Sequence, residues 1–158
     1  MRPEDWIGKT LARTYRIESL LGSGGMGAVY RAHHQRTKGN VAVKILRQDL
    51  VAEHEILRRF YMEAQVVAKL RHPHIVQVID CYDADGSPDQ PVPFIVMDLL
   101  LGEDLHTRLC RVGTLSYPET QKLAMEVGSA LHAGENKRLS AALWQIRSIT
   151  ISSLPCPQ

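Results

Sequence analysis

The stretch Gly22-Ser23-Gly24-Gly25-Met26-Gly27-Ala28-Val29 has the spacing G-x-G-x-x-G-x-V. Such a run suits phosphate chemistry, because backbone amides approach phosphate oxygens closely only where no Cβ intrudes, and glycine also opens positive φ. On its own the pattern is weak evidence, and a glycine-rich hairpin turn would also explain it. Two rival phosphate loops are excluded by the residues next in the chain. A dinucleotide-binding fingerprint needs a helix directly after the glycines, whereas Ala28-Val29-Tyr30-Arg31-Ala32 reads as a strand. A Walker A loop ends in G-K-[ST], and Gly27-Ala28 does not. A strand–turn–strand cover for phosphates remains.

Two charged residues sit where apolar ones belong. Val41-Ala42-Val43-Lys44 puts an ammonium on an apolar strand. An edge lysine snorkelling to solvent would explain it. Glu63 shares a helix face with Ile56, Phe60 and Val67; a rim position would account for that carboxylate. A buried unpaired carboxylate is costly, so such groups are paired or neutralised. The two anomalies answer each other: a short connection joins strand to helix, so Lys44 reaches Glu63 and is held ready for α/β-phosphate oxygens.

The elements that position these groups follow from periodicity. Residues 15–46 read as a three-stranded meander: Tyr15-Arg16-Ile17-Glu18-Ser19-Leu20 alternates, Ala28 to Ala32 resumes after the glycines, and Val41 to Leu46 comes after a Gly39-Asn40 turn. Residues 53–70 predict a helix, with Leu57, Phe60, Ala64 and Val67 on one face. His72-Pro73 ends it. Residues 75–79 predict a fourth strand, 83–93 a loop, and Phe94-Ile95-Val96-Met97 a fifth strand buried on both faces. A short helix is expected over 105–109, and a longer one over 117–133 with Ser116 as N-cap and Pro118 in its first turn. Residues 134–158 carry no strong period and are expected to be a divergent, poorly ordered tail.

The composition is that of a globular chain. Of 158 residues, 44% are hydrophobic and 23% charged, enough to bury a core. A formal net charge of +2, spread along the chain, argues against a nucleic-acid partner. Cys81, Cys110 and Cys156 have no C-x-x-C spacing, which fits a reducing compartment without a disulfide frame or zinc site. Neither a signal pattern nor a membrane-length apolar run occurs, so a cytoplasmic chain with no membrane partner is expected.

Taken together, these residues resemble bacterial Hanks-type serine/threonine protein kinases. The likeness is carried by Leu21 to Ala32 (glycine loop), by Val41-Ala42-Val43-Lys44 (strand lysine), and by Glu63 in Arg59-Phe60-Tyr61-Met62-Glu63-Ala64, 19 residues on. Arg71-His72-Pro73-His74-Ile75-Val76 and Phe94 to Gly102 continue it, and it runs from about Gly8 to Ala133. The resemblance implies an α+β fold: a five-stranded antiparallel sheet with one regulatory helix (residues 15–101, after an N-terminal extension 1–14), then the hinge and first helices of an incomplete large lobe (102–133). It implies ATP as the bound nucleotide, under a lid of Leu21, Gly22, Ser23, Gly24, Gly25, Met26 and Gly27, with Lys44 and Glu63 paired below. It further implies that Val29 and Ala42 cover adenine, that Met97 is the gatekeeper, and that the Asp98 carbonyl and Leu100 amide meet the adenine edge. Val67 and Val78 would pack behind the ion pair.

The chain departs from the family after Ala133. The catalytic H-R-D loop is due near Arg138-Leu139-Ser140-Ala141-Ala142-Leu143, and no aspartate comes after Asp104. The family's base and Mg²⁺-holding aspartates therefore have no counterpart, and neither a catalytic nor a metal-ligating residue is assigned. The expectation is weak nucleotide binding without catalysis by this chain alone, from a kinase gene interrupted by a frameshift or early stop. Alternatives are a non-enzymatic regulator binding an intact kinase, a split enzyme completed by a second chain, or a gene remnant. Leu123, Val127, Ala130 and Leu131 are expected to lack cover, giving marginal solubility.

Overall fold

The computed structural model describes residues 2–84, 87 and 92–135. The expectation of a poorly ordered tail therefore lies, from residue 136 on, outside the described residues. The chain divides into two compact units, one of residues 1–68 and 77–99, the other of residues 69–76 and the chain from Leu100.

The first unit is a sheet with one helix. Its strands are β1 (Thr10–Leu11), β2 (Tyr15–Ser23), β3 (Gly27–His34), β4 (Asn40–Leu46), β5 (Val78–Tyr82) and β6 (Phe94–Asp98), and α1 spans His54–Ala68. Strand order is β1-β2-β3-β4-β6-β5, and every neighbouring pair is antiparallel. The sheet has six strands instead of the expected five. The addition is β1, whose two residues are too few to show an alternating pattern. It is joined to β2 by a turn in which the Thr14 N–H donates to the Leu11 carbonyl (3.0 Å), with Ala12 and Arg13 at φ 47° and 52°.

Alternation along the strands sorts residues onto two faces. One face is the main core: Tyr15 and Ile17 of β2, Ala28, Tyr30 and Ala32 of β3, Val41, Val43 and Ile45 of β4, and Phe94 and Val96 of β6. Trp6 and Leu11 join that core, so the segment ahead of Tyr15, set apart on sequence grounds, is packed into the sheet. Tyr82 stacks on Phe94 with centroids 4.6 Å apart, and Tyr15 meets both rings edge-on. Ile95 is fully buried as well, so β6 is covered on both faces as its apolar run predicts. The strand expected at 75–79 begins at Val78. Pro73 and a turn in which the Ile75 N–H donates to the His72 carbonyl (3.1 Å) keep the preceding residues out of the ladder.

α1 buries Phe60, Glu63, Ala64 and Val67, the face that periodicity marks, and packs against β5. Leu57 of the same pattern is half-buried.

The second unit contains α2 (Leu105–Val112) and α3 (Tyr117–Glu135). Asp104 caps α2, accepting from the Thr107 N–H at 2.9 Å, and Gly113 ends it at φ 77°, a conformation that glycine adopts without strain. Ser116 and Glu119 form a reciprocal capping box at the start of α3. α3 runs two residues past the expected Ala133. The expectation that Leu123, Val127, Ala130 and Leu131 lack cover is not met. Ala130 is buried and the other three are half-buried. The 69–76 segment lies along this helix, His72 Nε2 standing 3.0 Å from Ser129 Oγ. The large apolar side chains that α3 exposes are Tyr117 and Met125.

Candidate functional site

The candidate site is built on the first unit, from the β2–β3 hairpin, the centre of β4 and the middle of α1. The hairpin turns at Gly24, Gly25 and Met26, closed by the Gly24 N–H donating to the Gly27 carbonyl at 2.8 Å. The turn is tied to the end of β4, where the Arg47 N–H donates to the Met26 carbonyl at 3.0 Å. Residues 21–26 are all exposed.

The glycines of the turn do two different jobs. A Cβ on Gly22 or Gly25 would meet no atom within 4 Å, and one on Gly24 would meet only the Gly27 carbonyl oxygen at 3.9 Å. That leaves open space above the amides, as a phosphate cover requires. Gly27 differs: a Cβ there would drive into the Ile45 carbonyl oxygen and stand 3.1 Å from its carbon and 3.3 Å from Leu46 Cα. Gly27 thus serves close strand packing. None of the four lies in the positive-φ region, so the conformational freedom anticipated for this run is not what it uses.

Below the hairpin, β4 presents Ala42 and Lys44 on the face opposite its core residues Val41, Val43 and Ile45. Ladder register sets Val29 opposite Lys44, Ile95 opposite Lys44 on the other side, and Met97 opposite Ala42. The Lys44 ammonium bonds both carboxylate oxygens of Glu63, at 3.1 and 3.2 Å. Its Nζ also lies 5.8 Å from the centroid of the Phe60 ring, one turn earlier on α1. The side chains are 18% and 11% exposed, so each charge is largely removed from water and needs the other. Lysine has three donor hydrogens, so an ammonium that shares its face with a carboxylate can still serve an anion.

Of the expected site residues, the structure brings Lys44 and Glu63 into contact and sets Val29, Ala42 and Met97 on their face of the sheet. Asp98 is exposed at the end of β6, its N–H donating to the Gln77 carbonyl at 3.0 Å. Leu100 belongs to the second unit, at the start of its later segment. Val67 and Val78 are both buried, on the packed pair α1 and β5. Two contributors were not foreseen. Phe60 under the ammonium was visible only as part of the helix stripe. The Arg47 tether is made by a main-chain amide, for which no side-chain pattern exists.

A glycine-rich antiparallel hairpin over a strand lysine that is paired with a helix glutamate is the arrangement of a protein kinase small lobe. The protein kinase domain family matches residues 15–137, and the chain belongs to that family. It is 35% identical over 128 residues to the serine/threonine-protein kinase pkn3 of Myxococcus xanthus, covering 81% of this chain and 23% of that one. It is likewise 35% identical over 125 residues to the serine/threonine-protein kinase PknA of Mycobacterium tuberculosis, covering 79% of this chain and 29% of that one. Among solved structures, the kinase domain of M. tuberculosis PknI superposes with a TM-score of 0.65 at 33% identity, over 82% of this chain and 50% of the other. The chain thus spans under a third of the length of these curated relatives and half of the solved domain.

Protein kinases use ATP with Mg²⁺. Among the described residues no three His, Cys, Asp or Glu side chains are grouped to hold a metal ion, and the sequence has no aspartate beyond Asp104. No helix among the described residues is long and apolar enough to cross a membrane.

Proposed function

We propose that this chain binds ATP through its first unit and that, by itself, it does not transfer the γ-phosphoryl group. Residues 21–27 cover the phosphates, Lys44 meets α/β-phosphate oxygens, Glu63 holds Lys44, and Val29, Ala42 and Met97 face the adenine ring, whose edge meets the Asp98 carbonyl. Phosphoryl transfer rests on positioning and charge stabilisation around metal ions. The sequence offers neither of the aspartates that the family uses as base and metal ligand.

The observation that carries this reading is the two-oxygen contact between Lys44 and Glu63. Two largely buried opposite charges on an otherwise apolar face are costly to desolvate and contribute little net stability, so their use is best sought in a ligand. The test is titration of the purified chain with a fluorescent, non-hydrolysable ATP analogue, comparing wild type with Lys44→Met. A hydrogen bond to a charged group contributes about 1.5–3 kcal/mol, so the variant should bind about 10- to 100-fold more weakly. Equal affinity would remove Lys44 from this role.

A further inference from the structure

We infer that the N-terminal segment, residues 2–11, is a strap that positions the glycine-rich hairpin for phosphate, acting through Trp6 and the Tyr30 hydroxyl. The inference rests on the nucleotide reading above and extends it to residues that touch no ligand.

The hairpin needs an anchor beyond its own ladder. β2 is irregular on its way to the turn, its register against β3 shifting between Ile17 and Ser19 and again between Leu20 and Gly22. Each shift disrupts the ladder locally and bends the strand, so β2 by itself does not run straight to the tip, although Gly22 and Ser23 pair again with β3. β3 pairs with β4 without interruption from Gly27 to His33, so the position of the lid is set through β3. Tyr30 is in the middle of that run, 1% exposed, and its hydroxyl donates to the Pro3 carbonyl at 2.9 Å. Burial, with Glu4 and Asp5 nearby, pushes the phenol up to about 12, so it remains a donor across the physiological range.

The strap is itself held at several points. Trp6 is 6% exposed within the core cluster, and the Lys9 ammonium stands 5.0 Å from the centroid of its ring. The Gly8 N–H donates to the Ile17 carbonyl (2.9 Å) and the Ile17 N–H to the Lys9 carbonyl (2.8 Å). β1 then pairs with Tyr15 and Arg16. The strap therefore grips β2 at its regular root, ahead of both interruptions, and β3 at Tyr30, three residues from Gly27; the ladder partner of Tyr30, Leu20, lies between the two interruptions.

The experiment uses the full chain with Tyr30→Phe, which removes one hydroxyl, and with Trp6→Ala and Trp6→Phe, the last restoring an aromatic ring. Each is titrated with the ATP analogue and with adenosine, and amide hydrogen exchange is followed at residues 22–27 without ligand. A strap acts on the phosphate cover, so Tyr30→Phe should weaken the ATP analogue about three- to tenfold and leave adenosine unchanged. Trp6→Ala should weaken the analogue further and Trp6→Phe should recover most of the loss. Exchange at 22–27 should quicken in Tyr30→Phe and Trp6→Ala. Equal weakening of analogue and adenosine, or unchanged exchange at 22–27 in both variants, overturns the strap. Wild type binding neither nucleotide would instead overturn the ATP reading, and the exchange arm would still decide the strap.

Discussion

Gly27→Ala separates two readings of the glycine motif. If its third glycine is there for phosphate approach, alanine should damage binding and leave the fold alone. The structure says the reverse. The added methyl would drive into the Ile45 carbonyl and lie within 3.3 Å of the Leu46 backbone. These are main-chain atoms of a paired central strand, which cannot rotate aside as a side-chain tip does. Overpacking of this kind costs about 1–3 kcal/mol. The gain from restricting the unfolded chain is about 0.4–1 kcal/mol, and does not offset the upper part of that range. Gly25→Ala is the matched control: nothing lies within 4 Å of its added methyl and its φ is not positive. It should be neutral or slightly stabilising, yet it puts a methyl in the space assigned to phosphate. Denaturant unfolding of both variants should show Gly27→Ala less stable than Gly25→Ala by about 2 kcal/mol, roughly 8–16 °C in Tm for a unit of this size. ATP-analogue titration well below Tm should show the larger loss of affinity in Gly25→Ala. Stabilities equal to within about 0.5 kcal/mol, the scatter of substitutions that meet nothing, would refute the packing argument.

Two other outcomes rest on local geometry. Lys38 is exposed with φ at 62°. A non-glycine residue in that region costs about 1–2 kcal/mol, partly offset in Lys38→Gly by unfolded-state entropy, so the variant should gain about 0.5–1 kcal/mol, read as a raised denaturation midpoint. At the start of α3, hydrogen bonds from the Ser116 hydroxyl and N–H, with the Arg108 guanidinium, hold the Glu119 carboxyl down at about 2, below its ordinary 4.5. A depressed folded-state pKa stabilises above the unfolded value and is lost as pH falls through the folded one. Helix signal should therefore decline between pH 4.5 and about 2, and Glu119→Gln should flatten that window in an acid titration followed by circular dichroism.

The legible parts of this chain were those in which a side chain departs from its surroundings or repeats with them. Lys44 and Glu63 were each out of place on an apolar element, and the pair meets in space. Phe60, Ala64 and Val67 repeat at helical spacing, and all three are buried. What stayed hidden is made by the main chain or by too few residues to show a period. β1 has two residues, the lid is tethered by the Arg47 amide, and the start of β5 is set by a turn three residues upstream. Trp6 illustrates the limit from the other side. A lone tryptophan in a polar N-terminal stretch has no partner that spacing can name, yet it belongs to the core cluster that contains Tyr15, Ile17 and Tyr30. The glycine run shows why a correct motif can rest on an incomplete reason. Its spacing pointed to phosphate through absent Cβ atoms and positive φ. The φ argument applies to none of the four glycines, and the absent Cβ of Gly27 serves β4, not a ligand. One spacing thus meets two demands, an open surface at Gly22 and Gly25 and a closed one at Gly27. A hairpin turn with no ligand would accept alanine at Gly25 without consequence for any binding, so the paired Gly25→Ala and Gly27→Ala measurements are what separate the two readings.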